Sequence, residues 1–227
     1  MIKLKVIVLI VLACNLNGYA QDSKLKIPAI PQKEDQLIVS ITSDNWSGLS
    51  STLESKPIRS RGFSLLVMTD RMRPSGNFGV GFGLGFNSQN VHTNAIVADT
   101  TVNGSFSSLI KIPDSLGYKY NKLSLNFITA ALEIRLRSNE NSKGHRFKLS
   151  AGIMAGFLLQ SHTKYKDKNG KFKTYNIDHL NNFQYGIEAR LGYHNYAING
   201  YYSLVNVFKD KKGPELTPYS IGVSFTF

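Results

Sequence analysis

Residues 78–86 read Phe-Gly-Val-Gly-Phe-Gly-Leu-Gly-Phe, so Phe78, Val80, Phe82, Leu84 and Phe86 alternate with Gly79, Gly81, Gly83 and Gly85. A strand sends successive side chains to opposite faces, which gives this segment one apolar face and one nearly empty face. Glycines repeated on one face weaken an ordinary strand, unless another part of the chain must approach closely, as inside a narrow barrel. The same period-two alternation recurs along the chain. It therefore predicts an all-β fold, a closed antiparallel up-and-down transmembrane β-barrel of about eight strands.

Composition agrees with that class. With 42% hydrophobic residues and a mean hydropathy of -0.16, the chain is too polar for a bundle of membrane helices, and no apolar run reaches the roughly 18 residues a spanning helix requires. At the start, Lys3 and Lys5 precede the apolar run Val6 to Ala13, and the stretch closes on Gly18-Tyr19-Ala20. That pattern predicts a secretory signal peptide over 1–20. The rival is a lipoprotein processing box at Val11-Leu12-Ala13-Cys14, in which Leu12 fits poorly. Cys14 is the only cysteine, so no disulfide framework or thiolate metal site is expected. Residues 21–36, with Pro28 and Pro31, read as a periplasmic lead-in, and 37–227 as the barrel. The formal charge of +12 loses two units with Lys3 and Lys5 and stays strongly positive. The expected partner is anionic outer-membrane lipid and lipopolysaccharide; nucleic acid is not expected after export.

Eight strands are predicted: 37–44, 63–70, 78–87, 122–137, 147–159, 183–193, 196–207 and 219–227. The links after the second, fourth and sixth are short. Those after the others are longer, especially 88–121, which is the asymmetry of periplasmic turns and outer loops. In the fourth strand the apolar phase changes: Leu123, Leu125 and Phe127 are odd-numbered, whereas Ile128, Ala130, Leu132, Ile134 and Leu136 are even-numbered. Either a β-bulge near 127–129 repairs the phase, or the first part of the strand rises above the membrane with neither face greasy.

Glu133, Arg135, Arg137, Arg146, Lys148, Glu188 and Arg190 fall opposite the apolar series of their strands. An arginine on the lipid side at mid-depth costs about 2–4 kcal/mol, so these charges are expected to fill the lumen as a paired network. About eight strands enclose space only for side chains, and a general diffusion pore is not expected. At the other end, Tyr219, Ile221, Val223, Phe225 and Phe227 form an unbroken apolar series at period two. This looks like the assembly signal that outer-membrane barrels present to their insertion machinery. Lys164, Lys166, Lys168, Lys171 and Lys173, with Tyr165, Phe172 and Tyr175, make a basic aromatic loop suited to lipid head groups or simply to solvent.

Other motifs fail on context. The Gly79 to Gly85 series opens no helix and is no phosphate cradle. Ser161 and His162 are adjacent and would face opposite ways, and no Ser, His and acid set converges. His92, His145, His179 and His194 lack ligand spacing, so no metal or cofactor is expected.

In the order and spacing of Asp44-Asn45-Trp46, Ser60-Arg61-Gly62-Phe63, Gly83-Leu84-Gly85 with Ser88-Gln89-Asn90-Val91, Leu132 to Ser138, His162 to Lys166, and Gly213-Pro214-Glu215 with Ser220-Ile221-Gly222, the chain resembles the small outer-membrane β-barrel domain family of Bacteroidetes-type bacteria, the porin-like group that includes PorT-like proteins. The resemblance implies an eight-stranded-type barrel in the cell outer membrane with no defined biochemical activity. The expectation is a non-enzymatic barrel with a structural, adhesive or accessory role. Its alternatives are a PorT-like accessory component of a secretion system, an outer-membrane lipid-modifying enzyme, and a soluble lipocalin-like binding barrel.

Overall fold

A computed structural model of the chain describes residues 36–73, 77–100 and 106–227. The expected signal peptide lies outside the described residues, as does the lead-in except for Gln36. Among these residues there are eleven strands: β1 (Leu37–Ser47), β2 (Arg61–Met72), β3 (Phe78–His92), β4 (Ala95–Thr100), β5 (Phe106–Lys111), β6 (Tyr120–Arg137), β7 (Phe147–Lys166), β8 (Lys171–Tyr175), β9 (Phe183–Tyr193), β10 (Tyr196–Ser203) and β11 (Thr217–Thr226). Eight of them close a ring in which each strand lies antiparallel to its sequence neighbour in the wall: β1, β2, β3, β6, β7, β9, β10, β11 and back to β1. The seam runs from Ile38 opposite Thr226 to Ser47 opposite Thr217. Closure leaves no free edge in the wall, which hydrocarbon would penalise by several kcal/mol per unpaired backbone group.

The eight expected wall strands are all present, with adjusted ends. The seventh stops at Ser203 rather than 207. Both β3 and β7 continue several residues past their expected ends, and the long links carry strands of their own. β4 and β5 form a separate hairpin, and β8 extends the wall beside the upper part of β7.

Lipid-facing side chains define a belt. Val80, Phe82, Leu84 and Phe86 of β3, Ile128, Leu132, Ile134 and Leu136 of β6, and Phe147, Leu149, Ile153, Phe157 and Leu159 of β7 are exposed apolar residues. The belt is about nine residues tall on β3 and β6, which matches the 9–11 of a tilted transmembrane strand. Aromatic contacts mark its lower rim, where Phe147 lies 4.9 Å from Tyr193 and Tyr196 5.6 Å from Phe225. The glycines of β3 face the lumen. A Cβ on Gly81 would sit 2.8 Å from Nε of Arg135, and one on Gly83 would collide with the sulfur of Met68. Both glycines are thus the space that a larger lumen residue occupies.

The phase change in β6 has a different cause from the one expected. Odd-numbered residues of β6 face inward throughout: Leu123, Leu125, Phe127, Ala131, Glu133, Arg135 and Arg137 are all buried. The strand does rise above the belt, but there its inner face is greasy, because the upper barrel has a core like that of a soluble protein. The irregularity lies on β7. Asn126 pairs with Gln160 and Phe127 with Leu158, which leaves Leu159 as the extra residue of a bulge. Below the bulge the odd-numbered residues of β7 face lipid. Above it the even-numbered ones face outward.

Candidate functional site

The lower lumen holds a compact ionic network. Nε of Arg135 lies 3.1 Å from Oε2 of Glu133, and Nη2 of Arg137 lies 2.6 Å from Oδ2 of Asp70. Arg135 also pairs with Asp70, and Arg190 with Glu133. Glu133 is 1% exposed and Arg135 4%. Three strands supply these groups from inward positions, so each charge leaves lipid only by meeting its counter-charge. Asp70 was not singled out from sequence, although it shares the period of Leu66 and Met68, both buried inside β2. Arg146 pairs with Glu140 in the turn before β7. Lys148 and Glu188 lie on the inward face and are half-buried. A cavity beside Arg135, Arg137 and Arg190 measures about 30 Å³, room for one or two waters.

Above this network the lumen is closed by an apolar plug. Trp46, Val91, Leu123, Leu125, Phe127, Leu180, Val207, Phe208 and Leu216 form one buried cluster. Asp44 ties its rim. Its carboxylate accepts hydrogen bonds from the backbone N–H of Asn90 at 2.8 Å, from Thr42 at 2.7 Å and from Ser220 at 2.8 Å. The β2–β3 pairing ends at Phe63 opposite Ser88, and beyond it the Asp44 carboxylate accepts the β3 backbone donor of Asn90. The buried hydroxyl of Ser60 does the same for the N–H of His92 at 2.9 Å.

The outward face above the belt is basic. His92 of β3 stands opposite Lys122 of β6, Lys122 opposite Lys164 of β7, and Lys164 opposite Lys173 of β8. The row below it runs Asn90, Ser124, His162, Tyr175, and the row above Tyr120, Lys166, Lys171. The ammonium of Lys122 reaches Oδ1 of Asn90 at 2.6 Å. Lys164 lies over the Tyr120 ring at 5.3 Å, Lys173 over Tyr175 at 5.8 Å, and Lys56 over Tyr118 at 5.7 Å. Burial, then the neighbouring Lys122, Arg59, Lys164 and Lys56, pushes His92 down to about 4. His162 is also lowered, by burial and then by Lys122, Lys173 and Lys164, and Lys122 by burial and then by Lys164 and Lys173.

Loop packing also brings together Ser107, Asp99 and His179, a convergence that sequence reasoning missed because it joins the β4–β5 hairpin to the link after β8. Oγ of Ser107 lies 2.5 Å from Oδ1 of Asp99 and 3.1 Å from Nδ1 of His179. The same Nδ1 faces Asp99 at 3.8 Å. A relay needs the acid on one ring nitrogen and the serine on the other, and here both share Nδ1. Ser107 is moreover 1% exposed. The trio fastens loops. Ser161 and His162 face opposite sides of β7, Ser161 inward and His162 into the basic face.

The series Tyr219, Ile221, Val223, Phe225 and Phe227 lies on the lipid side of the seam. Phe227 exchanges backbone hydrogen bonds with Leu37 at 2.9 and 3.1 Å.

Among solved structures, the crystal structure of Ail, the attachment invasion locus protein of Yersinia pestis, in complex with the heparin analogue sucrose octasulfate, is similar at 12% identity and a TM-score of 0.36, over 86% of this chain and 99% of that one. No curated protein sequence matches. Residues 54–209 match the model of the outer membrane protein beta-barrel domain, and with well over half of its length inside that match the chain belongs to this family of outer-membrane barrels.

Proposed function

We propose that the chain is a plugged surface barrel, a membrane anchor that holds folded strand extensions and loops at the outside of the cell in a structural, adhesive or accessory role. The observation that carries this reading is the double closure of the lumen. The ionic network of Asp70, Glu133, Arg135, Arg137 and Arg190 fills it in the belt, and the apolar cluster around Trp46 and Phe127 fills it above. What the wall carries outward is ordered: β8, the β4–β5 hairpin and the upper halves of β3, β6 and β7. Such a molecule presents a surface and passes no solute.

Refolded protein in a planar lipid bilayer tests the plug. The expected trace shows no conductance steps; stable ion-conducting steps from the wild-type chain would overturn the reading. A PorT-like accessory role uses the same display geometry and differs in having a dedicated protein neighbour, which crosslinking of the tagged chain in its own membrane would reveal. The lipid-modifying alternative predicts an altered lipid A acylation pattern in a deletion strain. The shared Nδ1 of His179 speaks against it.

A further inference from the structure

The cationic row on the outward face is built against its own electrostatics. Directly opposed residues on neighbouring strands lie about 5 Å apart, and like charges so placed are destabilising. Here Lys122, Lys164 and Lys173 stand opposite one another in sequence across β6, β7 and β8. None of the three forms a salt bridge among the described residues. Lys122 is half-buried and has only Asn90 to bind, and the buried Nδ1 atoms of His92 and His162 have no hydrogen-bond partner among the described residues.

The bulge at Leu159 creates this alignment. Were β7 to keep its lower phase, Ser161, Thr163 and Tyr165 would face outward, and Lys164 and Lys166 would turn into the apolar plug. One extra residue places them beside Lys122 instead.

Position supplies the rest. Lys122 lies six residues beyond Ile128, the last lipid-facing residue of β6. At about 3.3 Å per residue and a tilt of about 40°, the row stands roughly 15 Å above the belt, and the His162 row roughly 10 Å above it. The face is continuous with the lipid-facing wall, so whatever surrounds the barrel there is the head-group region of the leaflet that the belt occupies. Lysine stems can lower their ammonium groups toward that layer, and the exposed Tyr175 ring offers a flat surface beside them.

We propose that His92, Lys122, Lys164 and Lys173, framed by Tyr120 and Tyr175, form a docking site for the phosphorylated saccharide head groups of the surrounding outer leaflet. An anion bridging adjacent lysines offsets their mutual repulsion, and the tyrosines pack against sugar rings. This rests on the surface-barrel reading only in requiring that the face lie outside the cell.

The test uses the full chain folded in neutral-lipid nanodiscs, titrated with rough lipopolysaccharide that carries a phosphorylated inner core. It compares wild type with K122Q/K164Q/K173Q and with K209Q/K211Q/K212Q, which removes the same charge elsewhere on the loop side. The expected result is a tenfold or greater weakening for the first triple variant and less than a twofold change for the second. Removing the core phosphates should weaken wild-type binding to the level of the first variant. Equal binding by both triple variants would overturn the site, as would binding that ignores core phosphate. Inositol hexakisphosphate is the soluble arm: if it binds the row while lipopolysaccharide does not, the occupant is a soluble polyanion and the proposal fails. Heat-modifiable migration checks folding. Should K122Q/K164Q/K173Q not fold, K164Q/K173Q alters only β7 and β8 and should still lose several-fold in affinity. Conductance steps in a bilayer would overturn the plug without touching this site.

Discussion

Arg190 of β9 reaches Glu133 of β6 across the full width of β7, where Ser150 stands opposite Arg190 and Gly152 opposite Glu133. Small residues on the intervening strand give the two long side chains room to meet over it.

Breaking that pair takes a carboxylate away from buried cations. Glu133→Gln leaves Arg135 and Arg190 without their shared carboxylate, and losing one partner of a buried pair costs about 3–5 kcal/mol. The urea midpoint of the folded barrel in detergent should fall accordingly. Adding Arg190→Met should recover part of the loss, because it removes a buried cation that has lost the Glu133 carboxylate. An unchanged midpoint in the single variant would show that water already satisfies the lumen.

Asp44 is a second buried acid with a different task. Its carboxylate holds Asn90, Thr42 and Ser220, and its neighbour on β1, Trp46, is 5% exposed within the apolar plug. Asp44→Ala should cost at least about 2 kcal/mol, since hydrogen bonds to a charged group contribute about 1.5–3 each. It should also loosen the rim. Trp46 is the single tryptophan of the chain, so a red shift of its emission reports that loosening directly.

The wall was legible in the sequence because period-two alternation survives any tertiary context in which one face meets lipid. Phe78 to Phe86 and Phe183 to Tyr193 could be placed on residues alone. Above the membrane the same alternation changes meaning, because Leu123, Leu125 and Phe127 point inward where their neighbours Ile128 and Leu132 point outward. Nothing local distinguishes these two uses of leucine and phenylalanine. The basic face was legible only as a lysine-rich loop. Its order depends on register: His92, Lys122, Lys164 and Lys173 come from four strands, and a one-residue bulge on β7 decides whether they share a face. Asp70 was hidden for a simpler reason, since an aspartate near a strand end reads equally well as part of the turn.

Protonation of His92 gives the upper face a pH dependence. Its folded-state value of about 4 lies below the ordinary 6.5, through burial and then through Lys122 of β6, Arg59 and Lys56 of the β1–β2 link, and Lys164 of β7. Between those values the unfolded chain binds more protons than the folded one, so stability rises with pH across the window and is lost as pH falls from 6.5 toward 4. His162, also lowered, acts in the same sense. His92→Gln should flatten the slope of urea midpoint against pH between those limits. A variant that keeps the wild-type slope would place the dependence elsewhere.

Phe227 closes the seam with its backbone and shows its ring to lipid: its N–H donates to Leu37 at 2.9 Å, its carbonyl accepts from Leu37 at 3.1 Å, and its side chain is 64% exposed. Phe227→Ala therefore keeps the hydrogen bonds that join β1 to β11 and removes only the outward aromatic. If that ring contributes merely lipid contact, the variant should assemble normally and lose about 1–2 kcal/mol of folded stability. If the series from Tyr219 to Phe227 is read during insertion, folded protein in the outer membrane should fall several-fold, while the chain refolded from urea into detergent stays near wild-type stability. We expect the second pattern, and quantifying the heat-modifiable band in membranes and in refolded samples separates the two.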